Sequence, residues 1–189
     1  MTRGAVLAAA CALVSCRAPW TVRPIDADAA EAKAGPFDAA AYAASIWESK
    51  VVPAAAHAAG FAEARSAARP VLVKGSGRVL RIDSARQRIL LDIAPYDGKP
   101  DAELAAGRIR GTALRDALPF IQFSQFVNQV DFAHAANALD DRAAALAKSA
   151  LTNVAVGSLI SFAGAMSIPQ QGSLPEIIPV ILTQEPNRP

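Results

Sequence analysis

The chain has 189 residues, with 19 Lys+Arg against 17 Asp+Glu and a net charge of +2. That near balance excludes a dedicated nucleic-acid binder, whose basic residues would be in clear excess. An apolar fraction of 52%, much of it supplied by 44 alanines, excludes long-range disorder, and two Cys with two His exclude a zinc cluster or a disulfide scaffold.

The first element in chain order is a leader. Arg3 gives a positive start, and Ala5 to Val14 is an unbroken apolar run of ten residues. A run of that length is too short to cross a bilayer core of about 30 Å as a helix. A positive start, a short apolar stretch and small residues before a cleavage point read as a secretory signal over residues 1–15. Leu13-Val14-Ser15-Cys16 resembles the lipobox of bacterial lipoproteins, in which the cysteine thiol receives a diacylglyceryl group and becomes the new N-terminus. That resemblance implies lipidation of Cys16, a mature chain anchored in a membrane by acyl chains, and a net charge lowered to +1 by the loss of Arg3. Arg17, rather than an aspartate, follows the cysteine, which favours the outer over the inner membrane. Residues 16–36 then carry the lipid and a flexible tether containing Pro19, Pro24, Gly35 and Pro36.

From Phe37 the pattern turns helical. Tyr42, Ala43, Ile46 and Trp47 share one face, with Asp38 near the start, and Pro53 is expected to open a second helix running to about Arg65. Val71 to Ile82 reads as a long strand, bent at Gly75 and Gly77. A turn over residues 84–87 leads to a strand from Arg88 to Ile93, where Ile89, Leu91 and Ile93 alternate. Residues 94–107 read as a loop with a short helical turn at 102–106, and Arg108 to Leu114 as a third strand. Ser124 is placed as the cap of a helix with Phe126, Val130 and Ala133 on one stripe, ending near Asn137. A further helix is expected from Asp140-Asp141 to about Leu151. Two strands close the chain, Ser158 to Ile168 and Glu176 to Thr183. Pro179 marks the second as an edge strand or a bulge.

This order predicts an α+β fold: an OB-like five-stranded β-barrel with a helical segment inserted between strands 3 and 4 and N-terminal helices packed on it. The domain is expected to span residues 37–185, with helices over 37–68 and the barrel over 69–185.

Few residue sets suggest chemistry. Arg110-Gly111-Thr112-Ala113-Leu114-Arg115-Asp116 places two guanidiniums, a hydroxyl and a carboxylate together. Arg110, Thr112, Arg115 and Asp116 are therefore candidate ligand or partner contacts, and an Arg–Asp or Arg–backbone network is the structural alternative. Trp47 is a further candidate, with a core position as its alternative. Phe120, Phe123, Phe126 and Phe132 are expected to plug the bottom of the barrel. Gly75-Ser76-Gly77 lacks the Lys-Ser/Thr of a phosphate loop. Arg65, Arg69, Lys74, Arg78, Arg81, Arg86 and Arg88 form a local basic excess, either a solvated sheet face or a surface for anionic lipid. His57 and His134 lack ligand-spaced partners, so no metal or other cofactor is expected. Gly-x-Ser-x-Gly and HExxH motifs are absent, and no enzymatic activity is expected.

The blocks Phe37-Asp38, Tyr42, Ile46-Trp47 and Lys50-Val51-Val52-Pro53, then Gly75-x-Gly77, then Arg110 to Asp116 with Phe120-Ile121-x-Phe123 and Phe126-x-Asn128-Gln129, and finally Phe162-x-Gly164-Ala165 and Pro179-Val180 resemble the bacterial lipoprotein family DUF2291. The resemblance implies an envelope lipoprotein with an OB-like domain, facing the periplasm, of unknown biochemical activity and with no catalytic residues to carry over. Members are often encoded beside sugar ABC-transporter components. An accessory role with a transporter or its solute-binding protein is therefore the expectation, with a small-ligand module using the barrel face as the alternative.

Overall fold

The computed structural model describes residues 36–109, 111–167 and 172–185. The leader, Cys16, the tether up to Gly35, and Arg110 lie outside the described residues.

Helix α1 (Ala39–Ile46) begins where the Ala41 N–H donates to Asp38 Oδ1 at 2.9 Å, the geometry of an N-cap. It runs through a π-helical turn (Trp47–Val51) directly into α2 (Val52–Ala56). The separate helix expected from Pro53 to Arg65 is not formed. Proline lacks an N–H and its ring crowds the carbonyl four residues back. The wider turn relieves that crowding, and the Val52 N–H reaches back five residues to the Trp47 carbonyl. Between Ala56 and Arg65 only α3 (Phe61–Ala64) is helical, after a two-residue strand β1 (Ala59–Gly60) parallel to the next strand.

The barrel strands are β2 (Val71–Asp83), β3 (Arg88–Ile93), β4 (Ala102–Ala105), β5 (Leu159–Met166) and β6 (Glu176–Gln184). The order β2-β3-β4-β6-β5 returns to β2 through a β2–β5 pairing, so the sheet closes on itself. Strand β2 serves two partners: residues 71–78 pair with β5 and residues 77–83 with β3. The two pairings overlap at Gly77 and Arg78. A Cβ on Gly75 would lie 3.0 Å from the Phe162 ring, and one on Gly77 3.1 Å from Leu91 Cβ.

The third strand lies earlier than the sequence suggests. Residues 102–105 pair with β3, Leu91 opposite Ala102 and Arg88 opposite Ala105. The described residues between Arg108 and Leu114 form no strand; Ala113–Asp116 is instead a short helix, α4. Four residues, two of them alanine, carry too little alternation to be read as a strand. Strand β6 carries a bulge, as Pro179 suggests: Ala163 faces Ile181 while Gly164 faces Pro179. There β5 and β6 approach so closely that a Cβ on Gly164 would sit 2.0 Å from the Ile178 carbonyl oxygen.

The inserted segment is one long helix, α5 (Gln129–Ala150), rather than two. Its cap is Asn128, whose Oδ1 accepts the Asp131 N–H at 2.8 Å, and Ser124 sits in a preceding 3-10 turn (Phe123–Gln125). The core stripe of α5 is Ala135, Ala136, Leu139, Asp140, Ala143 and Ala147. Val130, Ala133 and Asn137 are exposed, so Asn137 interrupts nothing.

Two apolar cores result. One fills the barrel, with Val73, Val79, Ile89, Leu91, Leu104, Ile160, Phe162 and Ile177. The other lies between the outer barrel wall and the helices, and joins Trp47, Val51 and Ala55 with Leu114, Leu118, Leu139, Ala163, Ile178 and Val180. Phe120, Phe126 and Phe132 pack on this second core rather than plugging the barrel, and Phe123 is exposed.

Candidate functional site

Thr112 and Asp116 bracket α4, where the Asp116 N–H donates to the Thr112 carbonyl at 2.8 Å. Arg115 points its Nε and Nη2 at Asp116 Oδ1, at 2.9 and 2.7 Å, and donates from Nη1 to the Phe132 carbonyl at 3.2 Å. Its guanidinium stacks on the Phe132 ring at 3.7 Å. The guanidinium thus joins α4 to the first turn of α5, with one face and both edges engaged. Trp47 is 2% exposed within the helix-side core, with Arg142 over its ring at 5.6 Å. Its burial leaves no open ring face for a ligand.

The basic run is dispersed by local partners. Arg65 pairs with Asp101 at 3.3 Å, Arg88 with Glu176, and Arg86 with Asp83 at 4.0 Å. Arg78 lies over the Tyr96 ring at 4.8 Å, and Lys74 donates to the Ala56 carbonyl.

A cleft of about 290 Å³ opens where α3 meets the β3–β4 loop, lined by Phe61, Arg65, Ile93, Pro95, Asp97 and Asp101. The sequence alone does not reveal it, because its walls lie more than 25 residues apart. Two carboxylates build the loop. Buried Asp92 accepts the N–H groups of Asp97 and Gly98 at 3.3 and 2.9 Å, with Gly98 at φ +79°. Asp101 Oδ2 accepts the Ile93 N–H at 2.9 Å while Oδ1 faces Arg65. The cleft thus has an apolar floor at Phe61 and an ion pair at its rim, a form suited to a small amphipathic ligand.

A second unanticipated feature is Asp140, 3% exposed on the core face of α5, with neither carboxylate oxygen in a hydrogen bond of good geometry. Burial pushes its pKa up to about 7. Asp141 and Glu176 add to the rise, and the Gly111 N–H and Arg108 oppose it. Arg108 is already engaged with Asp141 at 2.6 Å. Glu176 is also raised by burial, against the pull of Arg88. Among the described residues no group of three or more His, Cys, Asp or Glu is placed to hold a metal ion.

Comparison with known proteins places these observations. The model of the family described as predicted periplasmic lipoprotein, DUF2291, matches residues 6–69 and 60–183. An OB-fold protein from Thermotoga maritima, known from its crystal structure, is similar with a TM-score of 0.64 and 17% identity, over 80% of this chain and 100% of that chain. At that identity the likeness shows the fold alone, an OB-type barrel. No curated protein matches.

Proposed function

The chain belongs to the DUF2291 family of predicted periplasmic lipoproteins, and on that premise we propose that it is a non-enzymatic accessory protein of the cell envelope, held by a lipid on Cys16 and acting through protein contacts. The observation that carries this reading is the complete Leu13-Val14-Ser15-Cys16 lipobox, in a chain whose family match begins inside the leader at residue 6. The commitment of Arg88, Arg108 and Arg115 to Glu176, Asp141 and Asp116 supports it, since paired guanidiniums stabilise structure rather than await a substrate. The partner proposed is a sugar-type ABC importer or its solute-binding protein, and Arg17 after Cys16 favours the outer membrane.

Affinity purification of the lipidated protein from envelopes tests the reading. Enrichment of a permease or solute-binding protein is expected. Unchanged uptake of the matching sugar after loss of the gene overturns the transport role. Cys16→Ala should release the protein from membranes; continued membrane fractionation with processing at the same site overturns the anchor.

The cleft beside Phe61 favours a second reading, a small-ligand module that docks a compact amphipathic solute between Arg65 and Asp97. A ligand bound only by the native state raises its melting temperature. A thermal-shift screen over sugars, nucleosides and acidic metabolites decides it, and no shift with any of them overturns this reading.

A further inference from the structure

Six large apolar side chains are exposed among the described residues, and three of them fall within one stretch of eight. Phe123 is 48% exposed, Val127 55% and Val130 60%, all in the segment that leads through the 3-10 turn into the first turn of α5. The other three stand singly: Ile82 in β2, Tyr96 in the β3–β4 loop and Val156 between α5 and β5.

The same segment holds the start of the folded domain. The Phe37 ring meets Phe126 edge-on at 5.5 Å, and Tyr42 meets it at 5.3 Å. The chain that comes from Cys16 therefore enters the domain beside Phe126, between Phe123 and Val127 in sequence. Twenty residues, 17–36, separate Cys16 from Phe37. Even fully extended they span no more than about 70 Å. A lipid on Cys16 thus keeps this end of the domain within reach of a bilayer at all times.

We propose that Phe123, Val127 and Val130 dock on the lipid surface to which the protein is anchored, inserting at the headgroup boundary and orienting the domain with the N-terminus of α5 toward the membrane. This inference rests on the lipid-anchor reading above and extends it from attachment to orientation. The size of the patch favours lipid over a protein partner. Three half-exposed side chains offer a few hundred Å² at most, well short of the roughly 1,000 Å² that a stable protein interface needs. So small a surface is sufficient when the anchor makes docking intramolecular and the effective concentration is on the order of millimolar. The attraction is apolar: the charges beside the three side chains are the carboxylate of Asp131, which follows Val130 in the first turn of α5, and Arg115, which is engaged by Asp116 and the Phe132 carbonyl. Docking should therefore need no anionic lipid and survive high salt.

The lipidated full-length protein in phosphatidylcholine vesicles provides the test. Of the two cysteines, Cys11 is removed with the leader and Cys16 is acylated, so an introduced cysteine is the sole free thiol. Val127→Cys, Val130→Cys and Val156→Cys each carry an environment-sensitive fluorophore, and brominated phosphatidylcholine is the quencher. All three positions are exposed, so the fold tolerates the label. Position 156 lies beyond the far end of a 22-residue helix about 33 Å long, and serves as the internal control. Quenching at 127 and 130 is expected to exceed that at 156 by at least twofold, to persist in 0.5 M salt and not to be strengthened by added anionic lipid. Equal quenching at the three positions overturns the proposal. So does quenching abolished by salt, or protection that grows with protein density and yields 130–130 cross-links, which would assign the patch to a second copy. Flotation of the same sample separates the two readings. Protein that fails to float with the vesicles breaks the anchor and the docking with it, whereas protein that floats with uniform quenching breaks the docking alone.

Discussion

The two cores are built on different principles. The barrel interior is filled by branched and bulky side chains from alternating strand positions, among them Val73, Val79, Ile89, Leu91, Ile160 and Ile177. The helix-side core mixes large side chains such as Trp47, Leu114, Leu118 and Leu139 with alanines, and the buried face of α5 itself is mostly alanine and carries Asp140, a buried carboxylate with neither oxygen in a hydrogen bond of good geometry. Small side chains let a helix lie close to a sheet, but they leave little apolar area per residue to offset a buried charge. The interior is packed mainly by large strand side chains; the helix layer sets large side chains from the other elements against a small-residue face of α5 that carries one unfavourable group.

Gly164→Ala challenges both cores at once and should have the largest effect. Its Cβ would enter the Ile178 backbone, so β5 and β6 must separate at the bulge, and loss of soluble folded protein is expected on expression. Trp47→Ala tests how far the helix layer depends on its largest residue. Truncating a buried tryptophan costs about 3–5 kcal/mol, and urea denaturation should show that loss. A cost below about 1 kcal/mol, the scale of a single methylene, would show that alanine packing alone suffices.

Asp140→Asn should act in the opposite direction. A carboxyl near 3.8 in the unfolded chain and raised to about 7 in the fold holds its proton more tightly when folded. The folded state is therefore favoured below pH 4 and loses that advantage as the pH rises toward 7. A gap of about three pH units corresponds to roughly 4 kcal/mol at 1.36 each, in part returned because the amide is also buried. The variant should gain about 1–3 kcal/mol at pH 8, gain nothing below pH 4, and show a flatter stability profile between. A profile identical to the parent's would mean that Asp140 does not titrate in this range. Asn128→Ala gives the smallest change, about 1 kcal/mol from the lost N-cap of α5, seen as a lower melting temperature with the barrel unaltered.

The same contrast governs what could be read from sequence. Period-two alternation makes β2, β3 and β5 visible, and Pro179 announces the bulge that the register of β6 shows, whereas the irregularity in β2 falls between Val79 and Arg81, just beyond the paired glycines. Strand β4 escaped because Ala102-Glu103-Leu104-Ala105 is too short and too poor in branched residues to alternate clearly. In α5 the alanines make every face look equally apolar, so the sequence points to a stripe of Phe126, Val130 and Ala133, the last two exposed, rather than to Ala136, Leu139 and Ala143. Asp140 fitted a helix start, where a carboxylate meets the dipole; nothing in the chain signals that it lies mid-helix against the sheet. The cleft depends on α3 meeting a loop more than 25 residues away, and that is a tertiary fact.

Strand β6 is the last of the described strands in chain order, and it is the one that closes the barrel, parallel to β4 on one side and antiparallel to β5 on the other. Its pairing of Leu104 with Ile177 joins residues more than seventy positions apart. Long-range pairing of this kind is slow to form, because loop-closure entropy is spent before the contacts repay it. Until Glu176–Gln184 arrives, β4 and β5 each present an open edge, and the wall beneath α5 is incomplete. Folding of this domain is therefore finished from its C-terminus, while its lipobox lies at the opposite end of the chain. A chain exported N-terminus first would reach its membrane before it had a barrel, and the bilayer would be the surface beside which that barrel closes.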